Sequence, residues 1–384
     1  MTDAPRKRRW PKILAILALL ALLAAWWIDR QLEPARLANT VLSALGDAQG
    51  LEISFTGTPD YALRPEPRLR IPRLVARQPG AAAPLLTAGE VEVSLPWSTL
   101  WGDGPVVITR IAMQAPALDL AALEEWQASR PPAGGFELPT LTSGLRVREG
   151  RVQGAGWSLR QLSIALPALV PGEPAEADLS GEFRREGLVI VFAGPLAIDR
   201  AGLDSPVRFL GAGRVRNASL DAPWQGRFEG TMSLSGETKS LELPVLAFDG
   251  EPPLPAFEGK GTLAYGAVLS LRLAGTLPRW PEAWPALPEP LAGHPAPIAL
   301  DLAYEGASDF STPLQVEARR EGARLQARVP VPGLLAWLDD DGGEALPPLT
   351  GTLEAPRLVV EGVELEGVRL TIEDEPAATE GEEP

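Results

Sequence analysis

Cysteine is absent from this chain of 384 residues, which excludes disulfides, thiolate metal sites and thiol nucleophiles together. Histidine is almost as scarce. His294 is the only one, and it stands in the proline-dense stretch LPEPLAGHPAP, where a loop is expected. A histidine-based triad or a multi-histidine metal centre is all but excluded. Neither a Gly-rich phosphate loop nor a nucleophile elbow occurs anywhere. No catalytic residue, cofactor or metal ligand is therefore assigned, and the chain reads as non-enzymatic. Long helices are also disfavoured over most of its length, because 40 Pro and 38 Gly interrupt it at short intervals and each interior proline removes a helix hydrogen bond.

What is present begins with charge. The formal net charge is −15, yet residues 1–12 carry Arg6, Lys7, Arg8, Arg9 and Lys12 against Asp3 alone. From residue 13 onward the chain is acidic, and it ends in an acidic tail, residues 373–384, with Glu373, Asp374, Glu375, Glu380, Glu382 and Glu383. Such a body repels a nucleic-acid duplex, so no nucleic-acid partner is expected.

Between Lys12 and Asp29 lies an uncharged apolar run, ILAILALLALLAAWWI, which reads as a single transmembrane helix over residues 13–28. Ile13, Leu14, Ile16, Leu17, Leu19, Leu20, Leu22, Leu23 and Ile28 face the acyl region, while Trp10, Trp26 and Trp27 mark the two headgroup levels. The basic residues 1–12 stay in the cytoplasm by the positive-inside rule, which places the remainder outside it. A cleaved signal peptide is the competing reading. It needs small residues at paired positions before the junction, but leucine occupies the farther one near Ala24 and Ala25, and two tryptophans follow. Retention is favoured. Residues 29–50 then hold a short amphipathic helix and linker, with Leu37, Val41, Leu42 and Leu45 on one stripe, a start near Pro34 and a stop at Gly46. That stripe either caps the body that follows or leans on the membrane.

Residues 51–372 read as a mainly β body. Polarity alternates with period two in runs such as Leu51–Phe55, Val91–Leu95, Leu159–Leu166, Leu269–Leu273, Ile298–Tyr304, Leu325–Val329 and Val368–Ile372. The run Leu188–Phe192 is apolar on both faces. Helix has brief openings at Pro96–Trp101, Leu120–Gln127 and Pro332–Leu338. Two Pro-rich stretches, 129–139 and 277–297, read as long connections or seams between subdomains. A weak repeat links 144–166 with 352–372, each a hairpin punctuated by glycines, Gly150 and Gly156 in one and Gly362 and Gly367 in the other. Asp339–Glu344 is the densest acidic cluster of the body and lacks the alternate spacing of a calcium loop, so a solvated turn is favoured. Trp280 and Trp284 lie in the second Pro-rich stretch, where exposed indoles would suit a sugar-stacking platform, though burial accounts for tryptophans more often.

Three stretches together resemble the AsmA-like family, the TamB-related, inner-membrane-anchored periplasmic proteins grouped with bridge-like lipid-transfer proteins. They are the order of basic head, membrane helix, short helix and strand over residues 6–55; LRPEPRLRIPRLVAR through LLTAGEVEVSLPWSTLWGDGPVVITRIAMQAPALDL; and GLRVREGRVQ followed by LRQLSIAL. The stretch 200–300 shows no pattern that matches the family, the chain is short for it, and the tail is unusually acidic.

The resemblance implies an elongated, curved antiparallel sheet forming an open groove in which acyl chains lie. The protein would be a single-pass bacterial inner-membrane protein with a periplasmic body, a cell-envelope biogenesis factor with phospholipid and an envelope protein as partners. Alternation alone favours a β-sandwich in which two apolar faces cover each other; the resemblance favours the groove. Which side chains would line that groove is not legible. Roughly twenty strands at about 4.8 Å would make it ~100 Å long. The other readings are a scaffold that binds protein partners through strand edges and an envelope enzyme or glycan binder that uses Trp280 and Trp284.

Overall fold

The structure, a computed structural model, describes residues 49–97, 108–129, 138–339 and 347–373, apart from positions 63, 65, 237, 283, 285, 286, 288–290, 293 and 361, together with residues 39, 42, 43, 46 and 47. The basic head, the apolar run 13–28, most of the acidic tail and the acidic residues 340–344 lie outside the described residues. Among the described residues, no helix is long and apolar enough to cross a membrane.

The body is one sheet of 20 strands. They are β1 (Glu52–Phe55), β2 (Asp60–Ala62), β3 (Arg68–Arg77), β4 (Leu86–Ser94), β5 (Arg110–Gln114), β6 (Ala117–Asp119), β7 (Gly144–Gln153), β8 (Ser158–Leu166), β9 (Ala175–Arg185) and β10 (Leu188–Ile198). Then follow β11 (Asp204–Arg216), β12 (Asp221–Ser233), β13 (Lys239–Gly250), β14 (Phe257–Tyr265), β15 (Leu269–Leu277), β16 (Ile298–Gly306), β17 (Leu314–Arg320), β18 (Ala323–Val329), β19 (Thr350–Val360) and β20 (Val363–Ile372). Helix α1 (Leu120–Ala128) joins β6 to β7, and α2 (Val331–Asp339) joins β18 to β19.

From β7 to β20 every strand pairs antiparallel with the next in sequence. The sheet is not antiparallel throughout, because β5 and β6 both run parallel to β7. A parallel neighbour needs a crossover, and the connection that carries α1 supplies it. Since β1 and β2 share the outer side of β3, and β5 and β6 share one place between β4 and β7, the 20 strands occupy 18 positions. The contour across the strands is about 80 Å, shorter than strand number alone suggests. A sandwich of two sheets is not seen: every described strand belongs to the one sheet.

Residues paired across a ladder share a face, so the registers show where polarity goes. Val215, Phe209 and Val207 of β11 stand opposite Ile190, Leu196 and Ile198 of β10, and Phe209 also stands opposite Phe228 of β12. Leu271 and Leu273 meet Tyr304 and Leu302, and Leu325 meets Leu353, which meets Leu370. One apolar face therefore continues from β1 to β20. The opposite face is polar and tied across strands by ion pairs, among them Arg70–Glu92 at 3.1 Å, Arg214–Asp221 at 2.7 Å, Arg319–Asp301 at 2.5 Å and Arg369–Glu354 at 2.6 Å.

The phase survives irregularities because the sequence changes parity where the backbone gains a residue. In β13 the apolar series is Leu241 and Leu243, then Leu246 and Phe248, and the register against both neighbours shifts between them around Pro244. A bulge is where a strand tolerates proline. In β8 the shift falls between Arg160 and Ser163, where Gln161 has φ 51°, and the apolar series passes from Leu159 to Leu162, Ile164 and Leu166.

Glycines inside strands curve the sheet. Gly194, Gly211, Gly213, Gly230, Gly259 and Gly351 all belong to the apolar face by register. A Cβ on Gly213 would lie 1.8 Å from the Val191 carbonyl oxygen, and one on Gly230 1.7 Å from that of Glu242. Neighbouring backbones thus crowd the apolar side at these positions. Trp224, paired with Gly213, reaches across it to donate its indole N–H to Val191 O at 3.1 Å.

The short helix that precedes the sheet ends later than the sequence suggests. Gly46, Asp47 and Gln49 are helical, and Gly50, with φ 59°, is the left-handed residue that stops the helix. Leu51 N donates to Gly46 O at 2.8 Å and Gly50 N to Asp47 O at 3.4 Å, the paired closing bonds of a Schellman end. Gly46 has a different reason to be glycine: a Cβ there would lie 2.5 Å from Leu51 O. The two repeated hairpins are real, but their glycines are not equivalent. Gly156 and Gly362 serve the turns, whereas Gly150 and Gly367 stand inside β7 and β20.

Replacing Gly213 by Ala is expected to cost about 3 kcal/mol through overpacking. Ala212→Val, one residue away on the exposed polar face, stays within about 1 kcal/mol. Urea denaturation followed by circular dichroism distinguishes the two.

Candidate functional site

The apolar face is the candidate site, and its cover is uneven. At the N-terminal end Leu42 of the short helix is buried with Leu69, Ile71, Leu74 and Ala88 of β3 and β4. The amphipathic stripe therefore caps this end of the body, as far as Leu42 reports; Leu37, Val41 and Leu45 lie outside the described residues.

At the other end the connection between β15 and β16 crosses the same face. Trp280, Trp284 and Leu287 pack on Leu246, Phe257, Leu277 and Ile298, and farther along Leu291 is buried against Ala323, Ala355 and Leu358. The described residues of this stretch form a strap laid on a continuous sheet, since Leu269–Leu277 and Ile298–Gly306 stay paired residue for residue on either side of it. Trp280 and Trp284 meet edge to face with centroids 4.8 Å apart, and the Trp284 indole N–H donates to Pro253 O at 2.9 Å. Their rings pack within the strap. His294 serves the strap as well: its carbonyl accepts from the Arg320 guanidinium.

Between these covers burial is mixed: Leu166, Ala177, Val207, Val215 and Trp224 are buried, whereas Ile164, Leu179, Phe192, Leu196, Phe209 and Phe228 are of intermediate exposure. Aromatic rings stack between neighbouring positions, Trp157 on Phe183, Phe209 on Phe228 and Trp224 on Phe248, with centroids 5.8, 6.1 and 5.8 Å apart. None of these floor residues was identifiable from the sequence as a binding residue. Their signal was the alternation itself, which marks a face and not a site.

The sheet also coils. Arg185, at the end of β9, lies with its guanidinium 4.9 Å from the centroid of Phe310, in the turn between β16 and β17. Those strands are seven positions apart, and the two residues sit at opposite strand ends. A twist of about 20–25° per strand accumulates to roughly 140–175° over that distance and brings opposite ends together. The Tyr265 hydroxyl, at the end of β14, similarly donates to the Glu124 carboxylate of α1, and Trp126 of α1 donates its indole N–H to Gln49 O at 3.0 Å. Helix α1 thus ties β14 to the short N-terminal helix across one margin of the trough.

Titration follows the polar face. Hydrogen bonding to Arg214 holds the Asp221 carboxyl below the usual carboxylate range, and hydrogen bonding to Arg324 does the same for Glu317. A cleft of about 1130 Å³ also opens on this side, among residues such as Glu242, Lys260, Arg272, Asp301 and Arg328, with both signs of charge present. Among the described residues no group of His, Asp and Glu could hold a metal ion.

Two outcomes follow from this geometry. Trp284→Ala is expected to loosen the strap, costing about 2 kcal/mol and raising the fluorescence of an apolar dye that reports uncovered face. Stability from the lowered carboxylates is present above their unfolded pKa and is lost as pH falls through the lower folded values. The melting temperature should therefore drop below about pH 4, and less steeply in Arg324→Ala, where Glu317 loses the largest cause of its lowering.

Comparisons of the chain with family models, with curated proteins and with solved structures return no match.

Proposed function

We propose that this protein is a non-enzymatic cell-envelope biogenesis factor that holds or guides phospholipid acyl chains along its apolar sheet face. In this reading residues 13–28 anchor it as a single-pass protein of a bacterial inner membrane, with residues 1–12 cytoplasmic and the sheet in the periplasm as an open groove. The observation that carries the proposal is the middle of the apolar face, where six large apolar side chains from β8 to β12 remain half-buried and no second sheet lies above them among the described strands. An apolar surface of that continuity favours an apolar cover. An acyl chain fits the requirement, since it needs length and dryness and no hydrogen-bond partner. The resemblance to AsmA-like proteins supports the same reading. With a contour of about 80 Å, reaching a second membrane calls for an envelope protein partner.

A scaffold that binds protein partners through strand edges is the second reading, favoured by the open edge of β20.

Full-length protein purified in mild detergent is expected to carry phospholipid detectable by native mass spectrometry and lipid extraction. Phe192→Asp and Leu179→Asp, on the half-buried floor, should lower bound lipid about fivefold or more, because a carboxylate there leaves a desolvated charge beside the chain. Leu210→Asp, on the polar face and 57% exposed in its native form, should leave it unchanged. A lipid-free protein, or equal loss in all three variants with circular dichroism intact, would overturn the proposal.

A further inference from the structure

The two edges of the sheet are treated differently. On the N-terminal side the edge is split into β1 and β2, of 4 and 3 residues, and the short helix packs beside them. Short, interrupted edges resist pairing with another chain. On the C-terminal side β20 runs for 10 residues and pairs with β19 alone among the described strands. Three of the seven large hydrophobic side chains that are exposed among the described residues belong to it: Val363 at 59%, Leu365 at 41% and Leu370 at 46%.

The sequence of this edge is symmetric in polarity. It reads Val363, Glu364, Leu365, Glu366, Gly367 and then Val368, Arg369, Leu370, Thr371, Ile372. Gly367, with φ 58°, stands opposite Pro356, and there the strand changes which parity faces the trough. Val368 and Leu358 both reach the same buried cluster, so Leu365, the partner of Leu358, lies on the apolar face together with Val368, Leu370 and Ile372. Each half of β20 thus carries alternating apolar and polar residues that mirror the other half about Gly367 and Val368.

We propose that β20 is the seam of a symmetric dimer, pairing antiparallel with β20 of a second copy of this chain. A two-fold seam requires that if one residue meets another, the reverse contact also occurs. Antiparallel pairing about the Gly367–Val368 step meets this on both faces. On the apolar side Leu365 faces Leu370 of the second copy and Val363 faces Ile372, each twice. On the polar side Glu366 faces Arg369 and Glu364 faces Thr371. Arg369, already 2.6 Å from Glu354 on β19, then has a carboxylate on either flank. The acidic tails leave Ile372 at opposite ends of the seam, roughly 30 Å apart, so their charges do not oppose closure. The apolar faces of the two copies join into one trough of about twice the contour. The pairing itself depends only on the edge and holds whatever the trough carries.

The absence of cysteine makes the register testable in the full-length protein in mild detergent. Val368→Cys is expected to give a disulfide-linked dimer on mild oxidation. Chains carrying Val363→Cys and chains carrying Ile372→Cys should each stay single alone and cross-link when co-expressed. Light scattering should find the unmodified protein dimeric, and Glu366→Arg, which sets two cations opposite Arg369, should weaken dimerisation about tenfold without altering the circular dichroism spectrum. A monomer at micromolar concentration, cross-linking of Val363→Cys with itself, or an edge captured only by a different protein would each overturn the proposal.

Discussion

Everything in this fold depends on keeping one phase of polarity across eighteen sheet positions. Since strand side chains alternate with period two, a slip of a single residue in any ladder would carry that strand's acids onto the apolar side and its leucines into water. The penalty falls on both faces at once. The polar face adds its own constraint, because Arg214 must find Asp221 and Arg319 must find Asp301 across their ladders. Exposed pairs of this kind contribute little stability each, yet a misregistered ladder would place like charges opposite one another. Register is thus specified by burial on one side and by charge on the other.

Much of this was legible. The alternating runs at Leu159–Leu166, Ile298–Tyr304 and Leu325–Val329 are strands β8, β16 and β18, and the short helical openings at Leu120–Gln127 and Pro332–Leu338 are α1 and α2. The stretch 200–300 shows no pattern that matches the AsmA-like family, yet it forms some of the longest ladders in the sheet, β11 and β12 pairing over 13 residues. Glycine weakens the strand signal there. In β11 the inward series is Ser205, Val207, Phe209, Gly211, Gly213 and Val215, so the positions that should announce a strand by bulk instead carry no side chain. The same substitution of space for hydrophobicity lets the neighbouring backbone approach and bends the sheet. Curvature is written in the residues that weaken the strand signal.

Proline left two readings open for a comparable reason. A stretch such as 277–297 breaks any local pattern, and a broken pattern reads equally as a long connection or as a seam between units. Its apolar residues have a partner that local patterning does not reveal, the floor laid down by strands before and after it. Trp284 reaches Pro253 O and Leu291 reaches Leu358, so the connection belongs to the sheet's core even though it belongs to no strand. The candidate site was hidden more deeply still. Catalytic and metal sites announce themselves through rare residues at fixed spacing, whereas a trough floor uses the same leucines and phenylalanines that make a core. Only the lack of a covering layer distinguishes the two, and that lack is a property of the tertiary structure.

The distribution of cover then shapes what the face can do. Both ends are held down, one by the short helix through Leu42 and the other by the strap through Trp280, Trp284 and Leu291, while the floor between them relies on stacked rings and on coiling of the sheet. Anchoring the ends limits how far the twist can relax, so the middle can stay half-covered without the sheet collapsing onto itself. Interactions on that floor are non-directional and scale with area, which means no single side chain defines the register of whatever lies there. An occupant held in this way is retained by the sum of many weak contacts and can shift along the trough by exchanging equivalent ones. A guide for an apolar chain needs that combination of retention without a fixed seat.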